Sequence, residues 1–154
     1  MGFNIVLLEP EIPNNTGNIG RLTLASGSNL HLIKPFGFEL SDSRLKRAGL
    51  DYWKHVPIFI YDNKNDFFTK NRGKEMVFLS VCGSKNYNSI PYKKDLFLIF
   101  GKESVGLDKE VITQNQENVY KIPINNRYVR SLNLANAVSI VCLLYTSPSP
   151  RDTM

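Results

Sequence analysis

The sequence predicts an α/β protein with an open parallel sheet and helices on both faces, on two observations. Short apolar runs alternate along the chain with longer segments of helical character, which is typical of βα units with right-handed crossovers. The apolar runs, of which Leu96–Phe100 is the clearest, are nearly continuous, as expected for strands buried on both faces. Ligands of such sheets bind beyond the carboxyl ends of the strands, so the polar segments there are candidate sites.

The predicted elements begin with a strand over Phe3–Leu8 and a helix over Asn15–Gly27, which has apolar residues at helical spacing and stops at a glycine. The other predicted strands are Leu30–Ile33, Val56–Tyr61, Met76–Val81, Leu96–Phe100 and Val119–Ile124. The other predicted helices are Ser41–Gly49, Asp66–Asn71, Leu107–Gln114 and Leu132–Tyr145. The last helix is apolar nearly all round, so one face fills the core and the other needs a cover, most simply a homodimer interface.

Length and composition indicate one globular domain. The chain has 154 residues, of which 42% are hydrophobic and 21% charged. No apolar run approaches the roughly 20 residues of a membrane span, and no basic region precedes the first apolar stretch. We therefore expect a cytoplasmic protein. Residues 1–145 form the expected domain, whereas residues 146–154 (TSPSPRDTM) resemble translated sequencing-adapter read-through and are expected to be a non-native or disordered tail.

Charge and cysteine content narrow the classes of partner. Nineteen basic against fourteen acidic residues give a net charge of +5, which suits a polyanion without proving one. Two cysteines and two histidines lie too far apart for a metal site, so no metal is expected. A Cys-dependent hydrolase on a flavodoxin-like sheet stays open as an alternative, because Cys82 follows a strand, but no histidine has an assignable role beside it.

The first of three polar segments that follow strands is Pro10–Gly27 (PEIPNNTGNIGRLTLASG). Asn15 and Arg21 lie six residues apart near the start of a helix, with Gly17 and Gly20 between them. Free N–H groups at a helix start attract anions, and glycines allow close backbone approach. A capped helix with a surface arginine explains the same residues without a ligand. GNIGR matches neither the dinucleotide-binding nor the phosphate-loop motif.

The second segment is Leu96–Leu107 (LFLIFGKESVGL), in which a buried strand ends at Gly101. A loop shaped by two glycines can present backbone N–H and C=O groups to a planar polar ligand such as adenosine. Glu103 could instead serve only as a helix-capping carboxylate. This loop alone is weak support for a nucleoside site.

The third segment is Lys121–Val141 (KIPINNRYVRSLNLANAVSIV). It places Ser131, Asn133 and Asn136 at the beginning of a long apolar helix. Helix capping explains one such polar residue but not three. Polar groups that enter a buried helix need partners, which a bound ligand or a facing subunit would supply.

Taken in order, PEIPNNTGNIGR, FGKESVGL and IPI…RSLNLANAVSIV resemble the three signature motifs of the SPOUT superfamily of RNA methyltransferases. Within it, residues 3–145 are most similar to the minimal tRNA wobble-nucleotide 2′-O-methyltransferases (TrmL type). The resemblance implies a carboxyl-terminal trefoil knot in the sheet and a homodimer whose active site is assembled between subunits. It also implies S-adenosyl-L-methionine as cofactor and the anticodon stem-loop of tRNA as partner, without a membrane or a metal.

The resemblance further assigns residues to roles. The implied catalytic residues are Arg21, Asn15, Ser131, Glu103 and Asn133. The implied cofactor-binding residues, acting largely through backbone groups, are Leu79, Gly101, Ile122, Ile124, Ser131 and Leu132. The expected RNA-binding surface is Arg44, Lys46, Arg47, Arg127, Tyr128 and Arg130, with Tyr128 available to stack on a base. Each of these surface residues taken alone is explained as an ordinary solvated side chain.

Arg21 is expected to hold a phosphate and stabilise developing alkoxide charge. It is a poor general base, because a guanidinium has a pKa above about 12 and no free lone pair. Two alternatives within the fold stay open. One is a 2′-O-methyltransferase of ribosomal RNA, against which the absence of an added RNA-binding domain argues mildly. The other is a non-catalytic RNA-binding member, against which the presence of Arg21, Asn15, Glu103 and Ser131 argues.

Overall fold

The computed structural model describes residues 2–146, without the side chains of residues 49, 50, 145 and 146. The strands in this range are β1 (Asn4–Leu8), β2 (Asn29–Ile33), β3 (Ile58–Tyr61), β4 (Met76–Leu79), β5 (Lys85–Asn86), β6 (Phe97–Phe100) and β7 (Val119–Lys121). The α-helices are α1 (Pro13–Ala25), α2 (Ser43–Gly49), α3 (Lys64–Lys70), α4 (Lys109–Gln114) and α5 (Leu134–Thr146). Short 3₁₀ helices cover Leu50–His55, Tyr87–Ser89 and Gln116–Asn118.

These strands form one sheet in the order β3-β2-β1-β6-β4-β7-β5, and every pairing is parallel. Phe100 of β6 is level with Leu7 of β1 on one side and with Leu79 of β4 on the other. The chain therefore leaves β1, β4 and β6 at the same edge, which brings the three following segments together. The predicted open parallel α/β sheet is confirmed.

Helices cover both faces of the sheet. Successive strand residues point to opposite sides, so apolar strands make both faces apolar, and both need a cover. Ile5 belongs to a buried cluster that also contains Ile19 of α1 and Val138 of α5. The neighbouring Val6 belongs to a second cluster with Phe67 of α3 and Val111 of α4. Burial on both faces explains why the strands read as continuous apolar runs.

Several element boundaries differ from those predicted. Helix α1 begins at Pro13, where a proline suits the first helical position because its fixed φ is already helical. Strand β7 ends at Lys121 instead of Ile124, since Pro123 has no N–H to continue the ladder. The two-residue strand β5 was not predicted, because a segment that short carries no periodic signal.

The carboxyl-terminal part also departs from the prediction in detail. Helix α5 begins at Leu134, two residues later than predicted, and includes residue 146, which the sequence assigned to the tail. Residues 147–154 of that tail lie outside the described range. The trefoil knot stays a prediction from the resemblance, and the insertion of β7 between β4 and β5 is compatible with it. Among residues 2–146, no helix has the length and apolarity that a bilayer span requires.

Candidate active site

A cavity of about 600 Å³ lies beyond the carboxyl ends of β4, β6 and β7. Three segments build its wall, namely residues 79–82 after β4, residues 100–107 after β6, and residues 122, 124 and 130–134 after β7. Ile12 and Asn15 of the α1 region close another side. The volume is that of a small-molecule site, and the position is the one expected for a parallel sheet.

The implied cofactor residues all line this one cavity. Those residues are Leu79, Gly101, Ile122, Ile124, Ser131 and Leu132. They come from three separate strand ends, and only the strand order makes them neighbours, since β6 and β7 both pair with β4. Apolar side chains, including Leu79, Ile122 and Leu132, line the wall together with Gly101, a composition that suits a flat heterocycle with a polar edge.

The loop after β6 is shaped by two glycines. A Cβ atom at Gly101 would lie 2.1 Å from the carbonyl carbon of Gly106, so this position tolerates no side chain. Gly106 has a φ of +71°, which favours glycine, and its N–H donates to the Lys102 carbonyl over 2.9 Å. The loop thus folds tightly on itself and presents residues 101–106 as one wall of the cavity.

A chain of hydrogen bonds beside the cavity joins α1, the loop after β6 and the segment that precedes α5. Asn15 Nδ2 donates to Glu103 Oε2 over 3.2 Å, and Asn133 Nδ2 donates to Asn15 Oδ1 over 3.1 Å. The two contacts together set which way the Asn15 amide points. Asn15 itself is buried, whereas Ser131 and Asn133 are exposed at the rim. Four of the five implied catalytic residues therefore meet at this cavity.

Glu103 also serves the helix-capping role that the sequence left open, although for a helix distant along the chain. Its Oε1 accepts the N–H of Glu11 over 2.8 Å, and its Oε2 accepts the N–H of Ile12 over 2.9 Å. Ile12 is the residue before α1, and its side chain provides no cap of its own. A carboxylate there satisfies free N–H groups and complements the positive end of the helix.

Arg21, the fifth implied catalytic residue, lies elsewhere. It is exposed on α1 and is not among the described residues that line the cavity. Its guanidinium carbon stands 5.4 Å from the ring centroid of Tyr52. The structure of one chain therefore separates Arg21 from the other four residues.

Gly20 serves packing instead of the anion approach that the sequence suggested. A Cβ atom at Gly20 would lie 2.5 Å from the Trp53 ring, so the glycine makes room for that indole. Tyr52 and Trp53, in the 3₁₀ helix Leu50–His55, thus pack beside two consecutive residues of α1. Gly17 is buried within α1, away from solvent.

The predicted RNA-binding residues fall into two groups. Lys46 and Arg47 are exposed on α2, and Arg44 forms an ion pair with Asp42 at 3.0 Å. The second group, Arg127, Tyr128 and Arg130, is exposed on the segment between β7 and α5. Arg130 alone of these six lines the cavity. The second group thus adjoins the cavity, whereas the first shares its side of the fold with α1, against which α2 packs.

The hydrolase alternative finds no support in the geometry. Cys82 lines the cavity, but no histidine is among the described lining residues. His31 is buried in the sheet between Asn4 and Tyr61. Within residues 2–146, no three His, Cys, Asp or Glu side chains are grouped so as to hold a metal ion.

Sequence reasoning missed Glu11 and Tyr52. Glu11 Oε1 accepts the Ser104 N–H over 2.8 Å, and this bond, with Lys102 nearby, lowers the pKa of the Glu11 carboxyl. Glu11 stands inside the first motif, four residues before Asn15, so its position was an available signal. Tyr52 carries no such signal, because its contact with Arg21 depends on how α1 and the 3₁₀ helix pack.

Comparison with known proteins agrees with this architecture. A tRNA (cytidine(34)-2′-O)-methyltransferase of Saccharophagus degradans is 42% identical over 140 residues, which are 90% of each chain. A solved structure described as "Structural insights into the 2-OH methylation of C/U34 on tRNA" has a TM-score of 0.87 at 41% identity and covers 92% of both chains. An AdoMet-bound rRNA methyltransferase from Sinorhizobium meliloti has a TM-score of 0.83 at 27% identity, over 93% of this chain and 55% of that one. Because the model of the SpoU rRNA Methylase family also matches residues 2–143, the chain belongs to that family, and the resemblance to SPOUT methyltransferases is confirmed.

Proposed function

We propose that the chain transfers a methyl group from S-adenosyl-L-methionine to the ribose 2′-hydroxyl of the wobble nucleotide in tRNA. The observation that carries the proposal is the convergence of three motif segments on one cavity of about 600 Å³. The relatives support the choice of nucleotide. The Saccharophagus degradans protein is named for methylation at cytidine 34 of tRNA, and the solved structure concerns C/U34 of tRNA.

The cavity fits the cofactor in size and chemistry. About 600 Å³ is enough for a nucleoside with an amino-acid side arm. Leu79, Ile122 and Leu132 would contact the adenine faces, and backbone groups of Gly101, Ile124 and Ser131 would bind its polar edges and the ribose. When bound there, S-adenosyl-L-methionine supplies an electrophilic methyl group. The AdoMet-bound relative from Sinorhizobium meliloti supports this choice of ligand.

The role of the residues beside the cofactor is to orient the reacting ribose. The Asn15 amide is held between Glu103 and Asn133, so its direction is set before any substrate binds. Orientation of this kind can account for several kcal/mol of a displacement barrier. Ser131 lines the same cavity and can contact either the cofactor or the ribose.

Arg21 would act in the cavity of a second copy of the chain. In one chain it does not reach the other four catalytic residues, whereas a homodimer with a shared site would bring an arginine to each cavity. Helix α5 offers a surface for such a dimer, because it exposes the apolar side chains of Ile140 and Leu144, which an interface would cover. Arg21 would hold the phosphate next to the target ribose and stabilise the developing alkoxide, while water or phosphate accepts the proton.

The tRNA would lie across both basic groups with its anticodon stem-loop at the cavity. Arg130 lines the cavity, and Tyr128 is exposed next to it for stacking on an unpaired base. With tRNA as its substrate, the enzyme would act in the cytoplasm. Neither the fold nor the proposed chemistry calls for a metal.

The test is a map of ribose methylation in RNA from a strain that lacks the gene, with and without complementation. We expect methylation at tRNA position 34 to disappear and to return with the intact gene. Loss of a methyl group from ribosomal RNA instead would support the rRNA-directed alternative. Unchanged RNA, together with a folded protein that binds no S-adenosyl-L-methionine by calorimetry, would leave the non-catalytic RNA-binding alternative.

A further inference from the structure

We propose that Glu11 is a positioning residue for the cofactor cavity, because it holds the loop of residues 101–106 in place through the Ser104 N–H. The inference rests on the proposed function, since S-adenosyl-L-methionine is the ligand whose binding the loop would control. Glu11 does not line the cavity among the described residues, and its carboxylate contacts the loop, so its side chain would act on the ligand through the loop.

The first argument is a reciprocal pair of contacts between two short segments. The Glu11 N–H donates to Glu103 Oε1 over 2.8 Å, and the Ser104 N–H donates to Glu11 Oε1 over 2.8 Å. Each segment thus supplies one carboxylate to a backbone N–H of the other. Hydrogen bonds to charged acceptors are about twice as strong as neutral ones, so the pair fixes the distance between segments firmly.

The charges around the pair support the same geometry. Lys102 Nζ lies 3.0 Å from Glu9 Oε1, and Lys102 also contributes to the lowered pKa of the Glu11 carboxyl. Lys102 therefore joins the start of the loop to the segment after β1. Glu9 has a φ of 58°, a left-handed turn that is uncommon for a non-glycine residue, directly at the end of β1. The ion pair and the turn both direct the segment 9–11 toward the loop.

The consequence for the site follows from Glu103. This residue is in the loop that Glu11 holds, and its Oε2 accepts the Asn15 Nδ2 over 3.2 Å. Movement of the loop would change the cavity wall and would also release one of the two contacts that orient Asn15. Loss of the Glu11 carboxylate should therefore weaken cofactor binding more than it slows the chemical step at saturating cofactor.

The test measures the Kd of S-adenosyl-L-methionine by calorimetry on the full chain without RNA. Glu11→Ala removes the acceptor and should raise Kd about tenfold, as expected for one charged hydrogen bond. Glu11→Gln keeps a neutral acceptor and should raise Kd roughly threefold. Glu117→Ala is the matched control, because it removes an exposed carboxylate in the 3₁₀ helix Gln116–Asn118 with the same change of charge. Its Kd should stay within about twofold of the wild type.

Two further readouts separate positioning from general loss of stability. In Glu11→Gln the Ser104 amide should exchange with solvent faster, while core amides of β1 and β6 keep their protection. The KM for the cofactor should rise by a larger factor than kcat falls, since Asn133 still holds the Asn15 amide after the loop moves. If Glu11→Ala does not fold, Glu11→Gln alone decides the matter. A Kd for Glu11→Gln equal to that of the wild type would overturn the proposal, whereas a wild-type protein that binds no cofactor would instead overturn the proposed function.

Discussion

The guanidinium carbon of Arg21 lies 5.4 Å from the centroid of the Tyr52 ring, next to the place where Trp53 packs on Gly20. Consecutive aromatic residues thus contact consecutive residues of α1. The packing of the Trp53 indole fixes the position of the 3₁₀ helix Leu50–His55, and the Tyr52 ring then lies under the Arg21 guanidinium. Arg21 is therefore held by an aromatic face although it is exposed to solvent.

Substitution of Arg21 should abolish most of the methylation rate with little effect on cofactor affinity. We expect Arg21→Ala to lower kcat by about a hundredfold or more, the usual loss when a group that stabilises developing charge is removed. Arg21→Lys should recover only a small part of the lost rate if the guanidinium holds the phosphate through two hydrogen bonds, because an ammonium group lacks the planar fork. The measurement is methyl transfer to tRNA, with the Kd of the cofactor as control. Full activity in Arg21→Ala would refute both proposed roles of Arg21, which are to hold the phosphate and to stabilise the developing alkoxide.

Loss of the Tyr52 ring should lower kcat through Arg21. Tyr52→Leu removes the cation–π contact, worth about 0.5–1 kcal/mol at an exposed site, so a two- to fivefold loss is expected. Tyr52→Phe keeps the ring and should retain wild-type activity. The effect should vanish in an Arg21→Ala background, which is measured by a double-mutant cycle on kcat. Equal losses in Tyr52→Leu with and without Arg21 would contradict the coupling.

RNA affinity should fall steeply as salt rises, because basic residues displace counterions from phosphates. Each phosphate contact contributes a slope of about −0.7 to −0.9 in log K against log salt. Lys46→Ala and Arg47→Ala should each reduce the slope by about one contact. Lys94→Ala is the control, because this exposed lysine precedes β6 at the opposite edge of the sheet from the cavity. A flat salt response in the wild type would contradict an RNA-binding surface of this kind.

A charge on α5 should disrupt the proposed homodimer. The Ile140 side chain is 36% exposed on α5, and Ile140→Asp would bury an unpaired carboxylate in the interface. We expect a monomer by sedimentation and loss of methylation, because each cavity then lacks the second copy's arginine. Ile60→Asp is the matched control, since Ile60 is 43% exposed on the edge strand β3. A dimer that survives Ile140→Asp would place the interface elsewhere.

Stability should fall in mild acid because of His31. Its Nε2–H donates to Asn4 Oδ1 and its Nδ1 accepts the Tyr61 hydroxyl, both over 2.8 Å, and burial lowers its pKa from 6.5 to about 4. Between those values the unfolded chain binds a proton that the folded chain does not, so the free energy of unfolding decreases as pH falls from 6.5 to 4. The decrease from this group is up to about 3 kcal/mol.

Denaturant unfolding at pH 7, 5.5 and 4 measures that decrease. In His31→Gln the part of the decrease in the free energy of unfolding that His31 causes between pH 6.5 and 4 should disappear, because glutamine does not titrate in this range. The carboxylates, which are shared by both proteins, provide the remaining pH dependence. Parallel stability curves for the two proteins would contradict the assignment to His31.

The sheet and much of the cavity could be predicted from the sequence. Burial on both faces leaves continuous apolar runs at β1 and β6, and parallel strands place their following segments at one edge. Motif resemblance then assigned residues such as Leu79 and Ile122 to a common cofactor site, and in the structure they line one cavity. The edges of elements were predicted less well, because Pro13 and Pro123 act on individual hydrogen bonds that periodicity does not record.

Local sequence by itself determined which segments are strands, which are helices, and which polar loops follow the strands, since these properties depend on neighbours in the chain. Only the tertiary structure decided that Glu11 accepts the Ser104 N–H. It also decided that Arg21 contacts the Tyr52 ring and does not line the cavity. The physical reason is distance along the chain. A contact across 93 or 31 residues arises from strand order and helix packing, which bury apolar surface without reference to the polar pairs that they bring together.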